Sequence, residues 1–477
     1  MYKTIIGLEI HTQLLTKTKA FCSCSTESFD SLPNRNICPV CTGHPGTLPV
    51  LNEEAVKLAV KAGLIFNGTI NKISRFDRKN YFYPDLAKNY QITQYFYPIV
   101  SDGYIIIEGK KIRIKRMHLE EDTAKMFHEG DQISTAQESF LDFNRSGIPL
   151  LEIVTEPDME SPSEARMFME KLRNLLRYAD ISTGDMEKGA LRCDANISII
   201  DLENNKVSKR VEIKNINSFK FVEKALEYEQ ERLINILENN IRMVQETRGW
   251  DSNKKETFPM RTKEEDTDYR YFPEPDLPPL ILNDEFINHV RSTITEMPEE
   301  KAKRFMIQYD LPQYDAEILT SNKELSDFFE KCVIHAKDAK FVSNLIMTDL
   351  LREMKENEDE IENLKIKPEY FGELKELLDS NKISTKILKD IFPEIYKTGK
   401  SPKVIVQEKG LEQIDDESEL RKIIEQIIIE NPQEVEKYRN GKKKLLGFFV
   451  GEVMKKTKGK ANPQKANEIL LEFLEDK

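Results

Sequence analysis

Three short stretches of this chain alternate at period two with acids at their polar positions, and two more strand-like stretches carry acids, which points to a sheet with one apolar and one acidic face. In Gly7–Leu14, the side chains of Leu8, Ile10 and Leu14 point one way, and those of Glu9, His11 and Gln13 the other. Leu191–Ile199 repeats the scheme with Asp194 and Asn196 on the polar side, and Val211–Lys214 repeats it with Glu212 and Lys214. Leu150–Thr155 sets a single carboxylate, Glu152, inside an apolar run, where burial is costly unless a cation pairs with it. Met117–Asp122 ends in three successive acids, Glu120, Glu121 and Asp122. Solvated faces of half-exposed antiparallel strands give the same alternation. The sharper reading gathers the acids around a divalent ion, because hard oxygen ligands are what magnesium with nucleotide phosphate prefers. His11 is a less usual magnesium ligand, but it can ligate or bond to phosphate.

The texture changes after the Pro-rich stretch Phe272–Pro279. Before it, strands, turns and a few helices mix. Ser161-Pro162-Ser163-Glu164 has the spacing of a capped helix start, and Asn52 can cap a helix that runs to Phe66. From about residue 292 the pattern is almost wholly helical, with amphipathic runs at Glu324–Ala336 and Ala339–Met354. The 477 residues leave room for about three domains. The expected fold class is α+β: a sheet-based domain over 1–290, an all-helical domain over 291–404 and a small helical tail over 405–477. No apolar run is long enough to cross a membrane, and the N-terminus runs straight into a strand pattern without a leader-like segment, so a cytoplasmic location is expected.

Cys22-Ser23-Cys24 and Cys38-Pro39-Val40-Cys41 stand thirteen residues apart. Four thiolates on two tight turns suit tetrahedral zinc, and a set of four leaves no open position for water, so the site reads as structural. Buried free thiols or a redox pair are the alternatives; Cys193 and Cys332 read as core residues. No Walker-type phosphate loop is present: Gly184–Ala190 has the glycines without the Lys-Ser/Thr ending. Phe76–Asp85 crowds Arg78 and Lys79 among Tyr81 and other aromatics, which suits a reader of phosphate or of an RNA end, or equally a packed loop with a surface ion pair. No G-x-S-x-G elbow and no Gly/Ser-rich amidase stretch occurs, so ammonia, if used, comes from elsewhere. The net charge of -12 argues against a general nucleic-acid binder, yet residues 442–465 hold eight lysines and one acid. Such a segment suits a phosphate backbone, and Gly447-x-x-x-Gly451 on the same stretch would allow close helix packing; a solvated helix end is the plainer reading.

Taken in order, Gly7–His11, Phe76–Asp85, His118–Asp122, Asp142–Glu152, Leu191–Asn196, Glu212–Ser218, Arg261–Glu264 and Asp268–Asp276 resemble the signature blocks of the B subunits of glutamyl/aspartyl-tRNA amidotransferases, across essentially the whole chain. The resemblance implies a "cradle" domain that uses Mg-ATP to phosphorylate the side-chain carboxylate of Glu on tRNA(Gln) or Asp on tRNA(Asn). Ammonia would come from a separate amidase chain that hydrolyses glutamine, and a third, small chain would wrap the other two in a heterotrimer. The enzyme would be a carbon–nitrogen ligase with glutamine as amido donor. The resemblance implies Glu9, His11, Glu121 and Glu152 as the catalytic magnesium ligands, with Glu120, Asp194 and Glu212 as neighbours. Arg78, Lys79, Tyr81, Asp194, Glu212 and Lys214 would hold the nucleotide. Cys22, Cys24, Cys38 and Cys41 would bind zinc. Lys442, Lys443, Lys444, Lys455, Lys456 and Lys458 in the tail would contact tRNA. The rival expectation is a non-catalytic, zinc-stapled protein that only positions tRNA.

Overall fold

The computed structural model describes residues 1–128, 138–262, 269–357, 359–411, 417–457, 461 and 463–475. Residues 263, 264 and 268 of the last two signature blocks and Lys458 of the tail lie outside them. The chain divides into two compact units, Met1–Met297 and Pro298–Lys477.

The first unit contains sixteen strands and four helices among its described residues. The strands are β1 (Tyr2–Gln13), β2 (Thr69–Ile70), β3 (Ile73–Asn80), β4 (Tyr90–Tyr97), β5 (Val100–Ile107), β6 (Lys110–Glu121), β7 (Lys125–His128) and β8 (Ser139–Asp142). They continue as β9 (Pro149–Thr155), β10 (Leu191–Asp201), β11 (Lys206–Val207), β12 (Val211–Ile216), β13 (Glu246–Asp251), β14 (Glu256–Thr262), β15 (Phe272–Pro273) and β16 (Leu280–Ile281). The helices are α1 (Glu53–Ile65), α2 (Pro162–Tyr178), α3 (Phe219–Glu238) and α4 (Asp284–Ser292).

The principal sheet runs β14-β13-β12-β10-β1-β9-β6-β5-β2, with β11 beside β10. β1 is central, antiparallel to both β10 and β9, so its two faces are set by neighbours distant in sequence. One face packs on α1, α2 and α3 through Ile6, Leu8, Ile10, Leu151, Ile153, Ala195 and Ile197, all buried in one apolar core. Fully burying one such side chain contributes about 1.5–3 kcal/mol. The helices start where the sequence says they should. Asn52 accepts from the backbone N–H of Glu54, and Ser161 accepts from that of Glu164 with Pro162 at the first helical position, each cap worth about 1 kcal/mol. α1 ends at Ile65, and Asn67 just beyond it has φ of 56°. A second sheet of β15, β3, β16 and β4 brings β4 against β6.

The second unit is helical: α5 (Pro298–Gln308), α6 (Gln313–Leu319), α7 (Lys323–Ala336), α8 (Ala339–Leu345), α9 (Leu351–Asn357), α10 (Pro368–Asp379), α11 (Thr385–Thr398), α12 (Pro402–Glu408), α13 (Glu417–Glu430), α14 (Pro432–Arg439), α15 (Leu446–Lys456) and α16 (Pro463–Glu475). It has two apolar cores, one drawn from Ala302–Val406 around Phe329, Phe371 and Phe392, the other from Leu420–Leu474 around Phe449. The amphipathic run expected from Ala339 to Met354 is not one α-helix, because Ile346–Leu350 opens into a π turn between α8 and α9. No helix among the described residues is long and apolar enough to cross a membrane.

Candidate active site and zinc knuckle

The sheet face away from the helices collects the polar residues of five neighbouring strands. Register does the collecting. His11 of β1 lies opposite Glu152 of β9, which in turn faces His118 of β6; Glu9 lies opposite Asp194 of β10, and Asn196 opposite Glu212 of β12. The Nε2 of His11 is 3.3 Å from a Glu152 oxygen and 3.4 Å from a Glu120 oxygen, and the Nε2 of His118 is 3.2 Å from Glu152. Ligand atoms of Glu9, His11 and Glu152 lie within 4.8 Å of one another, as do those of His118, Glu120 and Glu152.

These groups strain each other electrostatically. Burial and the facing Glu152 push the carboxyls of Glu9 and Glu120 up from the ordinary range. Burial works against ionised Glu152 too, but His118 and His11 hold it well below its usual value. His11 is pushed up to about 9: burial opposes its charge, and the bond to Glu152 overrides that. Three carboxylates on a shared floor, with Glu120 and Glu152 buried and Glu9 half-buried, are the arrangement that a divalent cation relieves, and their oxygens suit a hard ion better than the two imidazoles do.

Two cavities, of about 570 and 670 Å³, open from this floor and share Glu9, Lys79, Glu120 and Lys214. The first is lined by Tyr95, Tyr269 and Tyr271 and by Lys115, Arg116 and Arg210, with Arg116 5.3 Å from the Tyr95 ring. Tyr95 and Tyr271 stack with centroids 4.0 Å apart. The Oδ1 of Asn196, also in its wall, is buried without a hydrogen-bond partner. The second is bounded by Arg145, Lys188 and Arg192, with Asp122 between. Lys79 sits where both meet, 4.8 Å from the Tyr269 ring. Burial disfavours its charge, but Tyr271, Glu120 and Glu152 raise its pKa nonetheless. Lys214 is likewise raised, against burial, by Asp194 2.6 Å away and by Glu212.

The structure therefore brings together Glu9, His11, Glu152, Lys79, Tyr81, Asp194, Glu212 and Lys214. It does not bring Glu121 or Arg78 to the site. Successive strand residues face opposite ways. In β6 it is Glu120 that joins the floor, while Glu121 pairs with Lys88 and accepts from the Ile92 N–H at 3.0 Å. In β3 it is Lys79 that faces the cavities, while Arg78 makes a two-pronged bond to buried Glu274, 2.7 Å on each prong, beneath the Tyr90 ring. His118 is a site residue that the sequence reading does not single out. Its signal lies in its position: Met117 and Leu119 are apolar, so His118 and Glu120 share the other face.

The four cysteines of the knuckle converge, with all their Sγ atoms within 4.8 Å of one another. Cys38 and Cys41 are 4.0 Å apart at sulfur, close to the ~3.8 Å edge of a tetrahedron with zinc–sulfur bonds of ~2.3 Å, so the donors fit zinc. The thiol of Cys41 is pushed down to about 4 by its bond with Cys22, against burial, with the Cys38 N–H and Lys19 adding to the effect. Gly43 closes the turn at φ of 70°, where an added Cβ would come within 2.8 Å of the Lys88 side chain and 3.1 Å of the Ala87 backbone.

In the second unit, Lys442, Lys443, Lys444, Lys455 and Lys456 are all exposed. Lys456 pairs with Glu430 at 2.8 Å and Lys443 lies over the Tyr438 ring at 4.3 Å. Gly447 and Gly451 do not support close helix packing, because a Cβ on either would meet nothing within 4 Å.

A family model described as the GatB/GatE catalytic domain matches residues 4–288, and one described as the GatB domain matches residues 327–474. Proteins named as the B subunit of aspartyl/glutamyl-tRNA(Asn/Gln) amidotransferase are similar over nearly the full length. That of Thermotoga petrophila is 58% identical over 478 residues, covering 99% of each chain. That of Thermosipho melanesiensis is 56% identical over 475 residues, covering 100% of each, and that of Caldanaerobacter subterraneus is 51% identical, covering 99% of each.

Proposed function

This chain belongs to the GatB/GatE catalytic-domain family of amidotransferase B subunits, and from that premise we propose that its first unit activates a carboxylate on tRNA with ATP. The substrates are Glu on tRNA(Gln), Asp on tRNA(Asn), or both, and the reaction takes place in the cytoplasm. Phosphorylation turns an oxide, a poor leaving group, into phosphate, a good one, which ammonia then displaces to give the amide. A separate amidase chain supplies the ammonia, and a third, small chain completes the complex.

The observation that carries this reading is the convergence of Glu9, His11, His118, Glu120 and Glu152 on the floor of two joined cavities with cationic walls. Magnesium bound there would neutralise charge on the phosphoryl oxygens. Glu9, Glu120 and Glu152 would hold the ion, and the two imidazoles orient Glu152. Two cavities meeting at Lys79 give the nucleotide and the aminoacyl end a common boundary, and the Lys79 ammonium offsets charge on the group passing between them. Lys115, Arg116 and Arg210 face the first cavity with fixed positive charge suited to phosphates. The four-cysteine knuckle holds structural zinc. Over 291–404 and 405–477 the helices hold the tRNA body, and the lysines of α15 and the turn before it, Lys442–Lys444, Lys455 and Lys456, meet its phosphates. The open glycine face of α15 leaves room for a backbone to approach.

The test is Glu152→Gln in the assembled enzyme. tRNA-dependent phosphate release from ATP should fall by about 100-fold or more while the affinity for mischarged tRNA stays within about twofold. Full ATP turnover by this variant would leave only the tRNA-positioning reading standing.

A further inference from the structure

Lys19 is fully buried, and its ammonium has an unusual set of neighbours. Among the described residues it makes no ion pair with a carboxylate. Its Nζ lies 3.5 Å from the Sγ of Cys41 and 3.2 Å from the carbonyl oxygen of Phe143. Burying an ammonium costs several kcal/mol unless an anion compensates it. The anion on offer is a thiolate of the knuckle. Zinc held by four thiolates is doubly negative overall, so a cation in contact with one sulfur compensates both groups at once.

The same lysine touches a second structure. The turn Asp142–Gly147 is stitched to the knuckle segment at several points: Ser146 Oγ donates to the Cys41 carbonyl at 3.0 Å, the Asn36 N–H donates to Asn144 Oδ1 at 2.8 Å, and the Phe143 N–H donates to Asn34 Oδ1 at 2.8 Å. Gly147, at φ of 85°, lets the turn press against the centre, since a Cβ there would sit 3.4 Å from both Cys41 and Lys19. On its other side the turn reaches the second cavity. Arg145 donates to the carbonyls of Thr123 and Ala124 at 3.0 and 2.8 Å and lies 3.7 Å from Asp122, which also holds Arg192 at 2.8 Å.

We propose that Lys19 is the counter-charge of the four-thiolate metal centre and that, with the Asp142–Gly147 turn, it ties occupancy of that centre to the position of Arg145 in the wall of the second cavity. The knuckle is then a positioning device for the second cavity, not a staple remote from it. This rests on the reading that the cysteines hold zinc.

The experiment has three parts, all on the full chain. Metal analysis comes first: a purified chain without about one zinc ends the zinc reading and this inference with it. With zinc present, chelator-driven release is timed for the native chain, for Lys19→Gln and for Lys19→Arg. Lys19→Gln should lose zinc about 10- to 100-fold faster, with Lys19→Arg between it and the native chain. Equal release rates overturn the counter-charge. The third part needs no variant, so it stands even if Lys19→Gln fails to fold. In the native chain, removing zinc should speed amide hydrogen exchange at Phe143 and Gly147 while leaving β1 and β9 protected. Unchanged exchange at those two amides overturns the tie between knuckle and cavity.

Discussion

Glu120 and Glu121 are adjacent in sequence, and their substitution by glutamine should produce opposite effects. Glu121 is 5% exposed at its side chain and its partner Lys88 is 14% exposed. Removing one partner of a buried ion pair costs about 3–5 kcal/mol. Glutamine keeps an oxygen for the Ile92 N–H, and Lys88 retains some solvent, so about 2 kcal/mol is the figure for Glu121→Gln. For a domain of this size that lowers the melting temperature of the first unit by about 4 °C. Glu120 has the reverse balance. Burial and Glu152 push its carboxyl up, so the ionised form is disfavoured by the fold, and a neutral isostere relieves that cost. Glu120→Gln should therefore leave the metal-free protein as stable as the native chain or raise its melting temperature by about 2 °C. In activity the order inverts: Glu120→Gln loses about 100-fold or more in tRNA-dependent ATP turnover, and Glu121→Gln stays within about threefold. Differential scanning fluorimetry in chelator and a coupled phosphate-release assay on the assembled enzyme read the two quantities independently. If Glu121→Gln abolished turnover without a melting shift, the assignment of faces in β6 would be wrong.

Arg78→Lys replaces a two-pronged guanidinium with a single ammonium at Glu274 and should cost about 2–3 kcal/mol in thermal unfolding, with the KM for ATP changed less than about threefold; a tenfold rise in that KM would return Arg78 to the nucleotide. Asp122 is held below the ordinary carboxylate range because Arg192 and Arg145 outweigh its burial. Its folded-state pKa is depressed, so the stability it adds is fully present above about pH 4 and is lost as pH falls through the folded value. The stability gap between the native chain and Asp122→Asn should accordingly be constant from neutral pH down to about pH 5 and shrink below about pH 4, as urea melts across pH would show. Gly451→Ala in α15 places a methyl where nothing lies within 4 Å and should stabilise the helix by about 0.5–1 kcal/mol, measured by thermal denaturation; destabilisation would mean that the face is packed in the isolated chain.

What the sequence could deliver was set by the range over which its signals act. The caps at Asn52 and Ser161 are local, and both helices begin there. The paired cysteines are two local turns whose chemistry demands that they meet, and they do. The floor of the candidate site is a different kind of object. Glu9, Glu152 and His118 come from strands that are adjacent only in the folded sheet, with β1 inserted between β9 and β10, and periodicity gives each strand's parity without giving its neighbours. Parity itself fails inside strands of the floor, in β12, where Val211, Ile213 and Ile216 are all core residues, and in β6. In β6, Ile112 and Ile114 are core residues at even positions, then the pairing with β9 slips between Ile114 and Arg116, and from there Met117 and Leu119 carry the core at odd positions. The bulge in β6 hands His118 and Glu120 to the cavity side and turns Glu121 toward Lys88. A motif match reads the acids of His118–Asp122 as one block, and only the alternation around Met117 and Leu119 separates them. The turn Asp142–Gly147 shows the same limit from the other side: alone it offers one arginine. Its place between the knuckle and Asp122 depends on hydrogen bonds spanning more than a hundred residues. Local chemistry thus named the candidate groups, while the pairing of distant strands decided which of them lie together.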